Sequence, residues 1–314
     1  MNKVLFIDTV HPLIREELTA MGFQCDEFPD FRKSDYEAVA AEYTGIVIRS
    51  KIKIDKAFLN KCSRLKFIGR VGSGLENIDV DYAESLGILC LNSPEGNRDA
   101  VGEHTLGLLL SLLNHICRAN REIRQGKWIR EGNRGMEIKG KTIGIIGYGN
   151  MGSAFAQRLR GFEASIIAYD KYKSGYGDGF ATECAMDDLW RMADVVSLHV
   201  PLSEETRYLA NETFFEKFHR DIILLNTSRG QVVRTSALVG ALKTGRVRAA
   251  ALDVLEFEDS SFEALSGEVP PDLRYLLDSP DVLLTPHIAG WTVESNVKLA
   301  TVLVEKIRKV VLGS

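Results

Sequence analysis

The chain has no long apolar run. Its longest, Leu106 to Leu113, falls far short of the ~18 residues a helix needs to span a bilayer, so no membrane association is expected. The opening residues, Met1 to Asp8, lack a basic segment followed by a long apolar one; no signal peptide is expected, and the cytoplasm is the expected location. Cysteine is sparse. Cys25, Cys62, Cys90, Cys117 and Cys184 are widely spaced, with no CxxC pair and no Cys/His cluster. That pattern argues against a zinc site or any other metal site and against a disulfide framework, and for buried thiols in a reducing compartment. No strong charge of one sign is present either. A formal net charge of −4 gives no general reason to expect nucleic acid or an anionic membrane as partner. Attraction for an anionic substrate then has to come from local arginines.

What is present is ordinary globular composition, 45% hydrophobic and 26% charged, over 314 residues, enough for two domains at ~100–200 residues each. Short apolar runs alternate with helix-period segments. Strands are expected at Val4–Ile7, Gly45–Ile48, Phe67–Ile68 and Ile88–Leu91, with helical patterns at Pro12–Met21, Ser34–Tyr43, Asp55–Lys61 and Asp79–Leu86. Asp99 to Gln125 reads as one long helix. A second series then supplies strands at Ile143–Ile146, Ser165–Tyr169, Val195–Leu198, Ile222–Leu225, Ala249–Leu252 and Val282–Leu284. The alternation predicts an α/β protein with helix-covered parallel sheets. Two units follow: a discontinuous substrate-binding domain, 1–97 plus 286–314, and a dinucleotide-binding domain, 98–285. A cleft between two such units is a common place for a small-molecule site.

Gly147-Tyr148-Gly149-Asn150-Met151-Gly152 is a GxGxxG run between an apolar strand and a helix, and Asp170 stands 18 positions after Gly152 at the end of the next strand. This is dinucleotide-fold spacing. Gly147 permits the tight turn, Gly149 lets backbone approach a pyrophosphate, and Gly152 lets helix and strand pack closely. The helix N-terminus offers free N–H groups to phosphate. Asp170 can accept hydrogen bonds from ribose hydroxyls and would repel a 2′-phosphate, so NAD is the expected cofactor rather than NADP.

Three further segments follow strands in the second unit: Asn226 to Gly230, Leu252 to Glu258, and Thr285 to Gly290. In open α/β sheets, ligands bind at strand C-terminal ends. An arginine, a glutamate and a histidine there suit hydride transfer to and from a 2-oxo acid. The developing oxyanion needs a proton donor, which a histidine supplies near neutral pH. A neighbouring carboxylate, Glu256 or Glu258, orients the ring and stabilises its protonated form. An arginine grips the substrate carboxylate and polarises the carbonyl.

Together with Gly69-Arg70-Val71-Gly72-Ser73-Gly74 and Asn92-Ser93-Pro94-Glu95-Gly96-Asn97, these segments resemble the D-isomer-specific 2-hydroxyacid dehydrogenase family over nearly the whole chain, and most of all its D-3-phosphoglycerate dehydrogenase branch. The resemblance implies a Rossmann NAD-binding domain and a flavodoxin-like substrate domain. It implies that Arg229 is the catalytic arginine, Glu258 the carboxylate paired with the catalytic histidine, and His287 the acid–base residue. It implies that Asp253 holds the nicotinamide carboxamide, that Asn150 and Met151 meet the pyrophosphate, that Val200 packs near the adenosine, and that Thr227 and Ser228 line the nicotinamide side, where Ala289, Gly290 and Ser73 are further cofactor candidates. Ser73 and Gly74 would present backbone N–H groups to the substrate carboxylate. Arg49 and Arg70, at strand ends, are candidates for a substrate phosphate.

The implied activity is NAD-dependent oxidation of 3-phospho-D-glycerate to 3-phosphohydroxypyruvate, as in serine biosynthesis. Reduction of hydroxypyruvate, glyoxylate or another 2-oxo acid is the alternative, and a dinucleotide-sensing corepressor-like interaction protein is an alternative of another class. The helix Val101–Ile116 resembles the family's dimer-forming region, which implies a homodimer. The sequence departs from the family in having Asp259 where a proline usually follows the catalytic glutamate, in a long insert from Ser260 to Asp278, and in ending at Ser314 without a serine-sensing domain. Feedback regulation by serine is therefore not expected.

Overall fold

The computed structural model describes residues 2–258 and 269–312. Along the chain the elements are β1 (Lys3–Phe6), α1 (Pro12–Ala20), β2 (Gln24–Glu27), α2 (Lys33–Val39), β3 (Gly45–Ile48), α3 (Lys56–Leu59), β4 (Phe67–Arg70), α4 (Val80–Ser85), β5 (Leu89–Asn92) and α5 (Pro94–Leu113). There follow α6 (Ile116–Arg124), β6 (Thr142–Ile146), α7 (Asn150–Arg158), β7 (Ser165–Tyr169), β8 (Thr182–Glu183), α8 (Met186–Met192), β9 (Val195–Leu198), α9 (Glu212–Glu216) and β10 (Ile222–Asn226). The last are α10 (Thr235–Lys243), β11 (Val247–Leu252), α11 (Pro271–Asp278), β12 (Val282–Leu284) and α12 (Val293–Leu312). Among the described residues no helix is long and apolar enough to cross a membrane.

Two compact units result. One gathers residues 2–98 and 291–312; the other gathers 99–258 and 269–290. The division expected at 286 thus falls at Trp291, because the 285–290 segment is hydrogen-bonded to Asp253 of the second unit. Asp259 and residues 260–268 of the insert lie outside the described residues. Residues 271–278 form α11, which buries Leu273 and Leu276.

The first unit is a five-stranded parallel sheet in the order β2-β1-β3-β4-β5, the flavodoxin-like order. Strand β3 is buried at every position, as a strand covered on both faces must be. The C-terminal helix α12 belongs here: Leu299, Ala300, Leu303, Val304 and Ile307 pack with Val4, Phe6, Ile14 and Leu18.

The second unit is a seven-stranded parallel sheet, β12-β11-β10-β9-β6-β7-β8. Counted from β6, this is the doubly wound dinucleotide-binding order with one strand added, and its topological switch lies between β6 and β9. The strands β9 and β10 are wholly buried. Two strands, β2 and β8, escape the apolar-run reading. They sit at sheet edges, and their polar sequences, QCDE and TE, carry no buried-strand signal. The long helix expected over Asp99–Gln125 is instead broken. His115 adopts φ +53°, and the Asn114 amide caps the Leu110 carbonyl. The apolar residues before the break, Leu108, Leu109, Leu112 and Leu113, are core of the second unit; α6 after it buries none of its residues.

The thiols divide likewise. Cys62 is buried, and burial pushes its thiol up to about 12. Cys117, on α6, is exposed, contrary to the expectation of interior thiols.

The turn after β6 shows why glycine recurs there. Gly147 takes φ +93°. A Cβ on Gly152 would stand 2.1 Å from the Gly147 carbonyl oxygen, a backbone atom that cannot swing aside. Gly152→Ala should therefore lower unfolding free energy by about 1–3 kcal/mol, the usual cost of overpacking. Urea unfolding with no shift in midpoint would show that the turn yields.

Candidate active site

In the second unit the turn Gly147–Gly149 leads into α7, whose N-cap, Gly149, makes no side-chain capping bond. The first N–H groups of a helix have no intrahelical partner and favour an anion. Nothing stands within 4 Å of a Cβ built on Gly149, so the backbone there is open to close approach. Asn150 and Met151 form the first helical turn. Val200, just past β9, places its Cγ1 3.0 Å from the position of a Gly147 Cβ. The Asp170 carboxylate closes the turn from the next strand, accepting from Tyr148 N at 2.9 Å and Tyr172 N at 3.0 Å. The whole arrangement fits a nicotinamide dinucleotide: a glycine turn, an uncapped helix N-terminus, and a carboxylate fixed at the end of the adjacent strand.

At the end of β10, buried Asn226 folds the following turn onto itself. Its Oδ1 accepts from Ser228 N (3.0 Å) and Ser228 Oγ (2.7 Å), and its Nδ2 donates to the Arg229 carbonyl (2.9 Å). The Thr227 hydroxyl lies 3.0 Å from that of Thr105, which donates to Val101 O at 2.7 Å. Arg229 Nη1 donates to Ser228 O at 2.6 Å. Gly230 is required next: a Cβ there would stand 1.9 Å from the Leu255 carbonyl oxygen. That close approach seats the Arg229 turn against the turn after β11.

The turn after β11 gives its two glutamates different partners. Glu256 Oε2 accepts from Thr235 N at 2.9 Å, which satisfies the first helical N–H of α10. Glu258 Oε2 lies 2.7 Å from His287 Nδ1, and its Oε1 accepts from Leu255 N. Side-chain exposure is 14% for Glu258 and 23% for His287, so the pair is partly withdrawn from water, where a charge-assisted hydrogen bond is stronger than at the surface.

His287 itself has φ +54°, an uncommon conformation for a residue with a side chain. Asp253 over-determines it. The His287 N–H donates to the Asp253 carbonyl at 2.7 Å. The Asp253 carboxylate, in a residue only 1% exposed, accepts from Thr285 Oγ1 (2.6 Å), Ile288 N (2.9 Å) and Ala289 N (2.8 Å). Sequence reasoning had the carboxylate facing a ligand; it also binds the loop that presents His287. Thr285, His104 and the scaffolding role of Asn226 were not anticipated. For His104 the available signal is a histidine inside an otherwise apolar helix stripe. Among the described residues no group of three His, Cys, Asp or Glu side chains is arranged to hold a metal ion.

In the first unit, Arg49 follows β3. Its N–H donates to Asp8 Oδ2 at 2.7 Å, Asn77 Nδ2 donates to its carbonyl at 3.3 Å, and its guanidinium lies 4.4 Å from the centroid of the Trp291 ring. Arg70 ends β4. The turn after it is bound to the turn after β5: Ser93 N donates to Gly72 O at 2.8 Å, Gly72 N to Ser93 Oγ at 3.2 Å, and Ser73 Oγ to Asn97 Oδ1 at 2.7 Å. Ser73 and Gly74 sit in that braced turn.

Residues 106–289 match the sequence model described as the D-isomer-specific 2-hydroxyacid dehydrogenase NAD-binding domain. The chain belongs to the D-isomer-specific 2-hydroxyacid dehydrogenase family. It is 33% identical to a D-3-phosphoglycerate dehydrogenase of Archaeoglobus fulgidus over 99% of this chain and 58% of that protein. It is 37% identical to a hydroxypyruvate reductase of Thermotoga maritima over 88% of each. A crystal structure of D-lactate dehydrogenase from Aquifex aeolicus, complexed with NAD and lactic acid, superposes with a TM-score of 0.84 at 27% identity, covering 99% of this chain and 96% of that one. The chain thus spans little more than half the length of the phosphoglycerate dehydrogenase it matches. For this dehydrogenase-family chain the second unit is the NAD-binding domain, and the two-sheet α/β fold is the family's.

Proposed function

We propose that the chain interconverts a small D-2-hydroxy acid and its 2-oxo acid with NAD. The observation that carries this reading is the 2.7 Å contact between His287 Nδ1 and Glu258 Oε2, in turns that follow strands of the sheet bearing the dinucleotide turn. With Nδ1–H donated to a carboxylate, the neutral ring keeps its lone pair on Nε2, the nitrogen that takes the hydroxyl proton of a 2-hydroxy acid. Glu258 then stabilises the imidazolium. Arg229 balances the substrate carboxylate and, in the reverse direction, the developing oxyanion. Bound NAD supplies the hydride acceptor for C2. Gly147, Gly149, Asn150, Met151 and Gly152 hold its pyrophosphate, Asp170 its ribose, Val200 its adenosine, and Thr227, Ser228, Asp253, Ala289, Gly290 and Ser73 its nicotinamide end. The negative charge of Asp170 favours NAD over NADP.

His287→Ala should lower kcat about 10²–10⁴-fold, the range of general acid–base catalysis, with NAD affinity retained. An absorbance assay of NADH at saturating substrate measures it, and a variant with near-normal kcat would remove His287 from the chemistry.

For the substrate, the reading is 3-phospho-D-glycerate, with Arg49 and Arg70 as donors to its phosphate and Ser73 and Gly74 as donors to its carboxylate. The aromatic ring under Arg49 supports it: a guanidinium stacked on an indole keeps its donor edge pre-oriented for oxyanions. A second reading, hydroxypyruvate reduction, is favoured by the relative that this chain matches over 88% of both lengths. The two separate on kcat/KM for phosphorylated and unphosphorylated acids. Arg49→Ala and Arg70→Ala should each weaken 3-phosphoglycerate and phosphohydroxypyruvate at least tenfold, the loss of a charge-assisted bond, and glyoxylate much less. Equal losses on both classes, or a wild-type preference for hydroxypyruvate, select the second reading.

A homodimer is part of the proposal, through the end of the segment the sequence pointed to, at Ile116, and the residues that follow it. Most of the apolar residues of α5 are spent on the core. Those left in water lie just beyond: Ile116 (52% exposed), Ile123 (50%), Trp128 (80%) and Ile129 (45%). Apolar surface gathered in one segment is a mark of association. Sedimentation at micromolar concentration should show a dimer that Trp128→Glu shifts toward monomer. A wild-type monomer would end this part of the reading.

A further inference from the structure

His104 lies in α5, away from the turns that carry the proposed chemistry, yet it is wired to them. Its neighbours on the helix, Val101, Thr105 and Leu108, are buried, so the helix holds the imidazole at a fixed place in the second unit. Its Nε2 is 3.2 Å from Thr285 Oγ1 and 3.5 Å from Asp253 Oδ1. The proton positions follow from the partners. An ionised Asp253 accepts only, so the Thr285 hydroxyl donates to it at 2.6 Å. The Thr285 oxygen is then left as an acceptor, and His104 must carry its proton on Nε2 to donate to it. The Asp253 carboxylate hands the constraint on to the N–H groups of Ile288 and Ala289, the two residues after His287. The chain of bonds therefore starts on a rigid helix and ends on both sides of a residue held at φ +54°.

We propose that His104 is a positioning residue for His287, acting through the Thr285 hydroxyl and the Asp253 carboxylate. This rests on the reading of His287 as the acid–base group. The role has a physical reason. A residue with a side chain does not keep a left-handed backbone unless its surroundings impose it, and a carboxylate buried to this degree holds its geometry only while its donors are complete. Removing the His104 donor leaves the Thr285 hydroxyl free to rotate and loosens the carboxylate on the side that faces α5. His287 then presents its ring less uniformly, which lowers turnover without touching the groups that bind the acid.

The test uses the full chain. Amide exchange by NMR is followed at Ile288 and Ala289 without ligand, and steady-state kinetics are measured beside it. His104→Leu and Thr285→Val should each speed exchange at both amides about fivefold, the value of one hydrogen bond, and lower kcat by a similar factor at unchanged KM for the acid. His104→Gln, which keeps an N–H at similar reach, and Thr285→Ser, which keeps the hydroxyl, should both stay near wild type. The double variant His104→Leu/Thr285→Val should lose no more than either single one, because both cut the same chain. Exchange unchanged in His104→Leu, equal damage in His104→Gln, or a double variant equal to the product of the singles overturns the proposal. Should His104→Leu fail to fold, the glutamine and the two Thr285 variants carry the comparison. Should the wild type turn over no 2-hydroxy acid, only the functional reading fails, and the exchange rates alone decide whether His104 braces the loop.

Discussion

Parallel strand direction is the constraint on which the rest of the second unit depends. Because β6, β7 and β9 to β12 all run the same way, every turn leaving a strand's C-terminal end opens on one edge of the sheet. Gly147 follows β6, His199 follows β9, Ser228 follows β10, Asp253 follows β11 and Thr285 follows β12. Residues far apart in the chain meet there with no special folding of the loops. What the loops must add is precision, and backbone-to-side-chain bonds supply it. Buried Asn226 and Asp253 each close their own turn, and the missing side chain of Gly230 lets two turns touch.

Burial then gives that edge its electrostatics. Exposed ion pairs contribute little because water screens them. The Glu258–His287 pair is only 14% and 23% exposed, and both oxygens of Glu258 have donors, so the carboxylate is held in place to meet the ring. His199, on the same edge, is the opposite case. It is buried, its Nε2 lies 2.8 Å from Ser197 Oγ, and burial lowers its pKa to about 3. It stays neutral, and its ring fills space against Phe155. Two histidines past strand ends of one sheet are thus set in different surroundings, only one of them within reach of a carboxylate among the described residues.

Much of this was legible in the residues. The apolar runs of β3, β6, β9 and β10 announce doubly covered strands, and the GxGxxG run with Asp170 announces the turn before any coordinates are seen. The position of His287 beyond β12 and its pairing with a glutamate followed from the resemblance. Other features were not legible, for identifiable reasons. Edge strands β2 and β8 are short and polar, QCDE and TE, so periodicity is silent about them. The break at His115 is a left-handed residue that no glycine or proline marks. Glu256 and Glu258 have the same chemistry two positions apart; the resemblance singles out Glu258 for the histidine, but nothing in the spacing tells that Glu256 binds the α10 N-terminus. The Thr285–Asp253–His104 chain joins three elements by tertiary contact alone, so spacing carries no trace of it.

The two units carry separable parts of the proposed function. The acid–base pair, the carboxylate-gripping arginine and the dinucleotide turn belong to the second unit. Arg49, with its indole support, and Arg70 belong to the first, at the ends of β3 and β4. On that proposal, substitutions at the ends of β3 and β4 would alter which group beyond C2 is held, while the bonds around Asn226, Asp253 and Glu258 stay as they are. In the proposed reading the chemistry is constrained by many mutually dependent hydrogen bonds, whereas selectivity would rest on a few side chains of the first unit. A family built this way is expected to keep its reaction and change its acid. The chain matches relatives named for phosphoglycerate and for hydroxypyruvate at 33% and 37% identity, as that expectation requires.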